Sequence, residues 1–252
     1  MTQHILQGRT DAEVLWHQRR SFLQSAAAWT AMGGFAGAQA QSRSNIVELV
    51  GDAQVNGTRL LPQQTIQTGD RLETGPASNL IFVLGNASFR VRQNSRFTVE
   101  RGNTLTTVSV LRLLSGAVAS VWGRGGYRQI ITPTLTAGIR GTGVYAEVLP
   151  NQDFRSYFCN CYGTVDMRAG ADKLVSQASY HQSFWGEVEP KNGRYLTPAA
   201  AINHTDEELE YLARLIGQRT AWQIAGTKGI RDGAGYMSGT PAQPHPAQML
   251  GK

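Results

Sequence analysis

Residues 141–146 read Gly141-Thr142-Gly143-Val144-Tyr145-Ala146. This is the G-x-G-x-x-A spacing with which a glycine-rich turn brings backbone amides and a helix N-terminus to a dinucleotide pyrophosphate. Asp166 follows about 20 residues later, where such proteins place the acid that binds a ribose hydroxyl. That chemistry requires a helix after the glycines. Here Val144, Ala146 and Val148 alternate with Tyr145, Glu147 and Leu149, a period of two closed by Pro150, so a strand is expected instead. In a chain with 28 glycines the spacing arises readily by chance, and no cofactor is expected. Arg140, Gly141 and Thr142 read as a structural bend, where the arginine can donate to carbonyls or a carboxylate.

Cys159 and Cys161 are separated by one residue, so on a strand both point to one face, which Tyr157, Val165 and Met167 would share. They read as buried thiols. The other candidate ligands downstream, His181, His204 and His245, form no standard spacing with them, so no metal is expected. A disulfide between residues i and i+2 of a regular strand is geometrically poor. His181, within SYHQSFW, reads as a packing or loop residue. No nucleophile elbow, paired-carboxylate motif or phosphate loop accompanies the histidines, so no catalytic residue is assigned. Arg90 and Arg92 share a strand face and form the candidate partner surface, suited to an acidic envelope protein or an anionic cell-wall polymer.

The elements that must position these residues are short alternating runs punctuated by glycine, from Asn45 to about Arg168. IVELVGDAQVNG, NLIFVLGNASFRVRQ, RFTVERGN, LTTVSVLRLLSGAVASVWGRGG, YRQIITPT, GVYAEVLP and YFCNCYGTVDMRA all favour strands. Three of them, ELVGDAQV, LLSGAVASV and CYGTVDM, place a glycine between an apolar residue and a new alternating run, a mark of a bulge or bend. The fold class expected is all-β, a β-roll or solenoid-like stack, with a sandwich as the alternative. After Pro198, Thr205 and Glu208 sit at capping-box spacing, acids fill the first turn, and Leu209, Leu212 and Ile216 share one face before Gly217. A short amphipathic helix near 205–217 should dock on the β domain. From 226 to 252 the Gly- and Pro-rich tail lacks an apolar period and is expected to be disordered.

At the other end, Arg19-Arg20 followed by Phe22-Leu23, a Gly- and Ala-rich stretch and Ala38-Gln39-Ala40 make a twin-arginine export signal over residues 1–40, expected to be removed. Its apolar segment is shorter than the about 20 residues that span a bilayer, so no stable membrane span is expected. The chain of 252 residues, 41% hydrophobic and 17% charged, is long enough for one substantial core. Its formal net charge of +6, with no Lys or Arg run beyond two, gives nucleic-acid binding little support.

QTGDRLETGPASNLIFVLGNASFRVRQNSRFTVE, LRLLSGAVASVW, IITPTLTAGIRGTGVYAEV and YFCNCYGTVDMRA, in that order, resemble the FecR domain across most of residues 46–170. Asp70-Arg71-Leu72-Glu73-Thr74-Gly75 and Arg140-Gly141-Thr142 carry most of the likeness, and NHTDEELEYLARLIG resembles the tail of exported members. The resemblance implies an extracytoplasmic, β-rich sensing or scaffolding domain over residues 41–180, followed by an extension over 181–225. Founding members pass siderophore signals from an outer-membrane receptor to a sigma factor through a cytoplasmic helical segment and a membrane helix. Here an export signal stands in that place, so sigma-factor control is not carried over. The function expected is a periplasmic, non-enzymatic sensing, binding or scaffold module of the envelope. The alternative is a glycan-acting envelope hydrolase whose site the sequence does not display.

Overall fold

The computed structural model describes residues 44–104 and 106–229. The expected export signal with Arg19, Arg20, Phe22 and Leu23, and all but the first four residues of the tail expected over 226–252, His245 included, lie outside the described residues. Strands dominate, as the alternating runs require. They are β1 (Ile46–Val50), β2 (Ala53–Val55), β3 (Thr58–Arg59), β4 (Arg71–Thr74), β5 (Asn79–Leu84), β6 (Ala87–Val91), β7 (Arg96–Arg101), β8 (Val108–Trp122), β9 (Arg128–Ile131), β10 (Thr136–Leu149), β11 (Arg155–Ala169), β12 (Asp172–Ala178), β13 (Gln182–Lys191) and β14 (Arg194–Ala199). All belong to one sheet, antiparallel except where β8 runs parallel to β9. The protein is therefore all-β with a short C-terminal helix. The sheet also continues past residue 180, because β13 pairs with β11 and β14 with β13.

Three long strands organise the sheet, and each changes partners midway. The first half of β8 pairs with β7 and the second half with β6 and β10. On β11 the first half pairs with β13 and the second with β12. The change falls at Gly116 in β8 and at Gly163 in β11, where φ is +75° and +101°. Both positions need glycine. A Cβ on Gly116 would stand 2.5 Å from the Ser95 Cα, and one on Gly163 would stand 2.5 Å from the Thr142 side chain. These two, with Gly51 at φ +76°, are the glycines of the shared pattern in the sequence.

An irregularity at such a glycine shifts the alternation by one residue, so the strand turns its other face to the core. In β8, Leu111 and Leu113 face the same core as Val118 and Trp122, although odd and even positions should oppose each other. In β11, Val165 and Met167 join that core, whereas Cys159 and Cys161 face a second one. The expectation that the cysteines share a face with Val165 and Met167 is thus corrected. A regular strand was assumed, and Gly163 breaks the regularity.

The larger core is aliphatic and aromatic. Phe82 stacks on Phe89 with centroids 4.8 Å apart, and Trp122 meets Phe89 edge-on at 5.1 Å. The second core lies on the opposite face of the long strands and is covered by the helix Asp206–Leu215, whose Leu209 and Leu212 are fully buried there. Thr205 caps the helix by accepting from the Glu208 amide at 3.3 Å. The return arm of the capping box is replaced, since the Glu208 carboxylate reaches Arg92 at 2.9 Å and Arg90 at 3.5 Å. Gly217, at φ +67°, follows the helix as expected. A second short helix, Ala221–Ala225, carries Trp222 back onto the same core.

Candidate functional site

The second core brings together side chains that lie far apart in the sequence. Cys159 and Cys161 come from β11, His181 from the link between β12 and β13, and His204 from the segment before the Asp206–Leu215 helix. Their Sγ and imidazole nitrogen atoms all lie within 4.8 Å of one another. The two sulfurs are 3.7 Å apart, Cys159 Sγ is 3.5 Å from His181 Nδ1, and His181 Nδ1 is 3.2 Å from His204 Nε2. Both thiols are fully buried and His204 is 2% exposed.

Backbone pairing fixes these positions. The His181 amide donates to the Cys161 carbonyl at 3.0 Å, which ties the link to β11. The Tyr157 hydroxyl donates to the Ala200 carbonyl at 2.8 Å and accepts from Ser183 Oγ at 2.8 Å and from the Ile202 amide at 3.1 Å, holding the approach to His204. The outer nitrogens of both imidazoles are also engaged. His204 Nδ1 donates to the Ile202 carbonyl at 2.6 Å, and His181 Nε2 donates to Asp206 Oδ1 at 3.1 Å. Asp206 Oδ2 accepts from the Tyr180 hydroxyl at 3.0 Å and pairs with Lys228. Aromatic rings wall the cluster. Tyr145 stacks on His204 at 4.7 Å, and Trp222 leans over His181 at 5.4 Å.

Electrostatics bind the group together. Burial raises the Cys159 thiol, but the hydrogen bond from Cys161 and the neighbouring imidazoles outweigh it and hold Cys159 well below the usual thiol range. Burial and the bond to Cys159 push Cys161 well above that range. Burial lowers His181, yet the Cys159 sulfur and Asp206 carry it up to about 9. Asp206 is held far below the usual carboxylate range, because hydrogen bonds from His181, Lys228 and Tyr180 overcome its burial. Two soft sulfurs and two imidazole nitrogens gathered within 4.8 Å of one another can ligate a cation or store a proton.

The residues singled out in the sequence fall elsewhere. Arg90 and Arg92 do share a face, but it is the face the helix covers: both reach Glu208, and Arg92 also donates to the Asn203 carbonyl at 2.7 Å. They fasten the helix rather than form an open basic patch. Arg140 is exposed and pairs with Asp166 at 3.0 Å. Asp166, the residue at the ribose-acid spacing, is thus engaged by the arginine of the bend. Gly141 adopts φ +61° and the register of β10 shifts beside it, while a Cβ on Gly143 would overlap the Tyr162 ring. Strand continues on both sides of these glycines, as the alternation predicted. Arg128, a neighbour of Arg124 in sequence, is buried and donates to the Gly123 carbonyl and Asn86 Oδ1.

The sequence reading missed Tyr127. It is 59% exposed and stands between two open grooves that both include Arg140. One groove, of about 630 Å³, runs past Arg124 and Gly141; the other, of about 640 Å³, past Gln129, Arg168 and Lys173. An aromatic residue beside the Gly125-Gly126 turn was the available signal. His181 and His204 were visible as residues, but nothing local tied them to Cys159 and Cys161. No family model, curated protein or solved structure matches this chain.

Proposed function

We propose that this chain is an exported, non-enzymatic FecR-type module that binds an anionic polymer of the cell envelope. The observation that carries this reading is the exposed Tyr127 ring beside Arg140, flanked by grooves that present Arg124, Arg168 and Lys173. An aromatic face packs on sugar rings, and arginine donates in pairs to carboxylate or phosphate. Asp166 offsets part of this charge, and the cationic side chains still outnumber it along the two grooves. The twin-arginine motif supports a place outside the cytoplasm, and the FecR resemblance supports a sensing or scaffold role.

Titration of the full-length protein with a purified anionic cell-wall polymer tests this reading. Binding should weaken as salt rises, and the double variant Tyr127→Ala, Arg140→Ala should lose about tenfold or more in affinity while keeping its melting temperature. Equal binding by the double variant would move the site elsewhere. Cleavage of the polymer by the wild-type chain would replace the module with a hydrolase. The export arm is separate: changing Arg19 and Arg20 together to Lys should leave full-length precursor in the cytoplasm, and an unchanged periplasmic yield would refute that route.

A further inference from the structure

We propose that Cys159, Cys161, His181 and His204 bind one zinc ion in a closed tetrahedral site that clamps the C-terminal helical segment to the sheet. The geometry is quantitative. Bonds of about 2.3 Å from zinc to sulfur and about 2.0–2.1 Å to nitrogen require tetrahedral edges of about 3.8 Å between sulfurs, 3.5–3.6 Å between sulfur and nitrogen, and 3.3–3.4 Å between nitrogens. Three of the six edges here measure 3.7, 3.5 and 3.2 Å, and the other three lie within 4.8 Å. Packing alone gives no reason for three different atom pairs to match the edges of one coordination polyhedron.

The outward nitrogens supply an independent argument. His204 Nδ1 faces a backbone carbonyl, which can only accept, so the ring proton sits there and the Nε2 lone pair points inward. His181 Nε2 faces the Asp206 carboxylate, which orients its Nδ1 lone pair toward the same point. Metal-bound imidazoles are oriented in this way, by a carbonyl or carboxylate on the far nitrogen. Two inward lone pairs 3.2 Å apart repel each other unless a cation or a proton lies between them.

The ligand set selects the ion. Two thiolates with two imidazoles in a tetrahedron favour zinc over hard, oxygen-seeking cations, and four protein ligands leave no open position for catalysis. Charge also balances: on binding, the cysteine–imidazole group releases two protons to solvent, and two thiolates neutralise one divalent ion. The Asp206 charge outside that sphere is met by Lys228. Burial of the whole group then leaves no net uncompensated charge. Because the ligands come from β11, the link before β13 and the segment before the helix, the ion would staple three stretches of chain that are 22 and 23 residues apart.

The test uses the purified full-length protein. Elemental analysis should find about one zinc per chain, and cobalt exchanged into the site should give thiolate-to-metal charge-transfer absorption with the intense ligand-field bands of a tetrahedral centre. Cys161→Ser and His204→Gln should each lose most of the zinc, while Tyr127→Ala should keep all of it. If the ligand variants fail to accumulate, the wild-type chain still decides: a strong chelator should remove the zinc and lower the melting temperature, and added zinc should restore both. Wild-type protein that carries no zinc, or that takes up cobalt without thiolate absorption, would overturn the proposal and leave a proton-linked His181–His204–Asp206 network in its place.

Discussion

The two cores on opposite faces of the long strands are built on different physics. The larger one, around Phe82, Phe89, Phe97 and Trp122, is held by apolar burial and ring packing, which tolerate small displacements. The smaller one buries apolar side chains too, Leu209, Leu212 and Trp222 among them, but adds directional contacts around Tyr157, Cys159, Cys161, His181 and His204, where a shift of a few tenths of an ångström breaks a bond. The same strands serve both because a glycine lets each change faces. An apolar core sets the fold, and a mixed one, apolar with a polar cluster at its centre, fixes how the C-terminal segment sits on it.

The largest expected effect strikes the link between the two regions. Gly116→Val places a β-branched side chain at positive φ and against the Ser95 backbone, so the variant should fail to accumulate as folded protein. Normal soluble yield with an unchanged circular dichroism spectrum would show that β8 does not need its irregularity there. Gly141→Val is milder, because only ordinary contacts surround the new side chain and the cost comes from the φ of +61°.

Next come single changes within each core. Phe82→Ala should cost about 3–5 kcal/mol in denaturant unfolding, as expected for a large ring lost from a packed interior. Tyr157→Phe removes one hydroxyl with three partners and should cost about 1–3 kcal/mol, with the loss concentrated in hydrogen-exchange protection of residues 200–215. If both variants lost the same protection everywhere, the two cores would be one cooperative unit and the contrast would dissolve.

A pH dependence sharpens the comparison from outside the polar cluster. Burial raises the Glu187 carboxyl, but hydrogen bonds from Arg155, Thr197 and Lys191 overcome it and lower its pKa below the ordinary 4.5. A carboxyl depressed in the folded state stabilises above its unfolded value, and this contribution is lost as pH falls through the folded value. The melting temperature should therefore drop as pH is lowered below about 4.5, and Glu187→Gln should flatten that drop. The same slope in the variant would assign the acid sensitivity to other carboxylates.

Thr205→Ala should cost about 1 kcal/mol by removing the cap on the helix that covers the polar core. Smallest of all, Arg140→Ala breaks an exposed pair with Asp166, and its stability effect should stay within about 1 kcal/mol.

Much of the architecture was legible in the chain. Alternation marked the strands, the Thr205 to Gly217 pattern marked the helix, and the apolar-glycine pattern marked Gly51, Gly116 and Gly163. What alternation cannot convey is parity across an irregularity, which is why Cys159 was grouped with Val165. The sites were less legible for a different reason. Arg90 and Arg92 meet Glu208 across 116 to 118 residues, and the cysteines meet His204 across 43 to 45, so only the folded sheet brings them together. A C-x-C pair on a strand, with one histidine before the next paired strand and another just before a helix cap, is the signal that was present without a familiar spacing.

The most direct test of a metal-centred polar core is a crystal structure of the full-length chain with anomalous scattering recorded on both sides of the zinc absorption edge. The account predicts one anomalous peak, bonded to Cys159 Sγ, Cys161 Sγ, His181 Nδ1 and His204 Nε2 at about 2.3 Å for sulfur and about 2.0–2.1 Å for nitrogen. No peak at that position, with His181 Nδ1 and His204 Nε2 joined by a hydrogen bond, would contradict it.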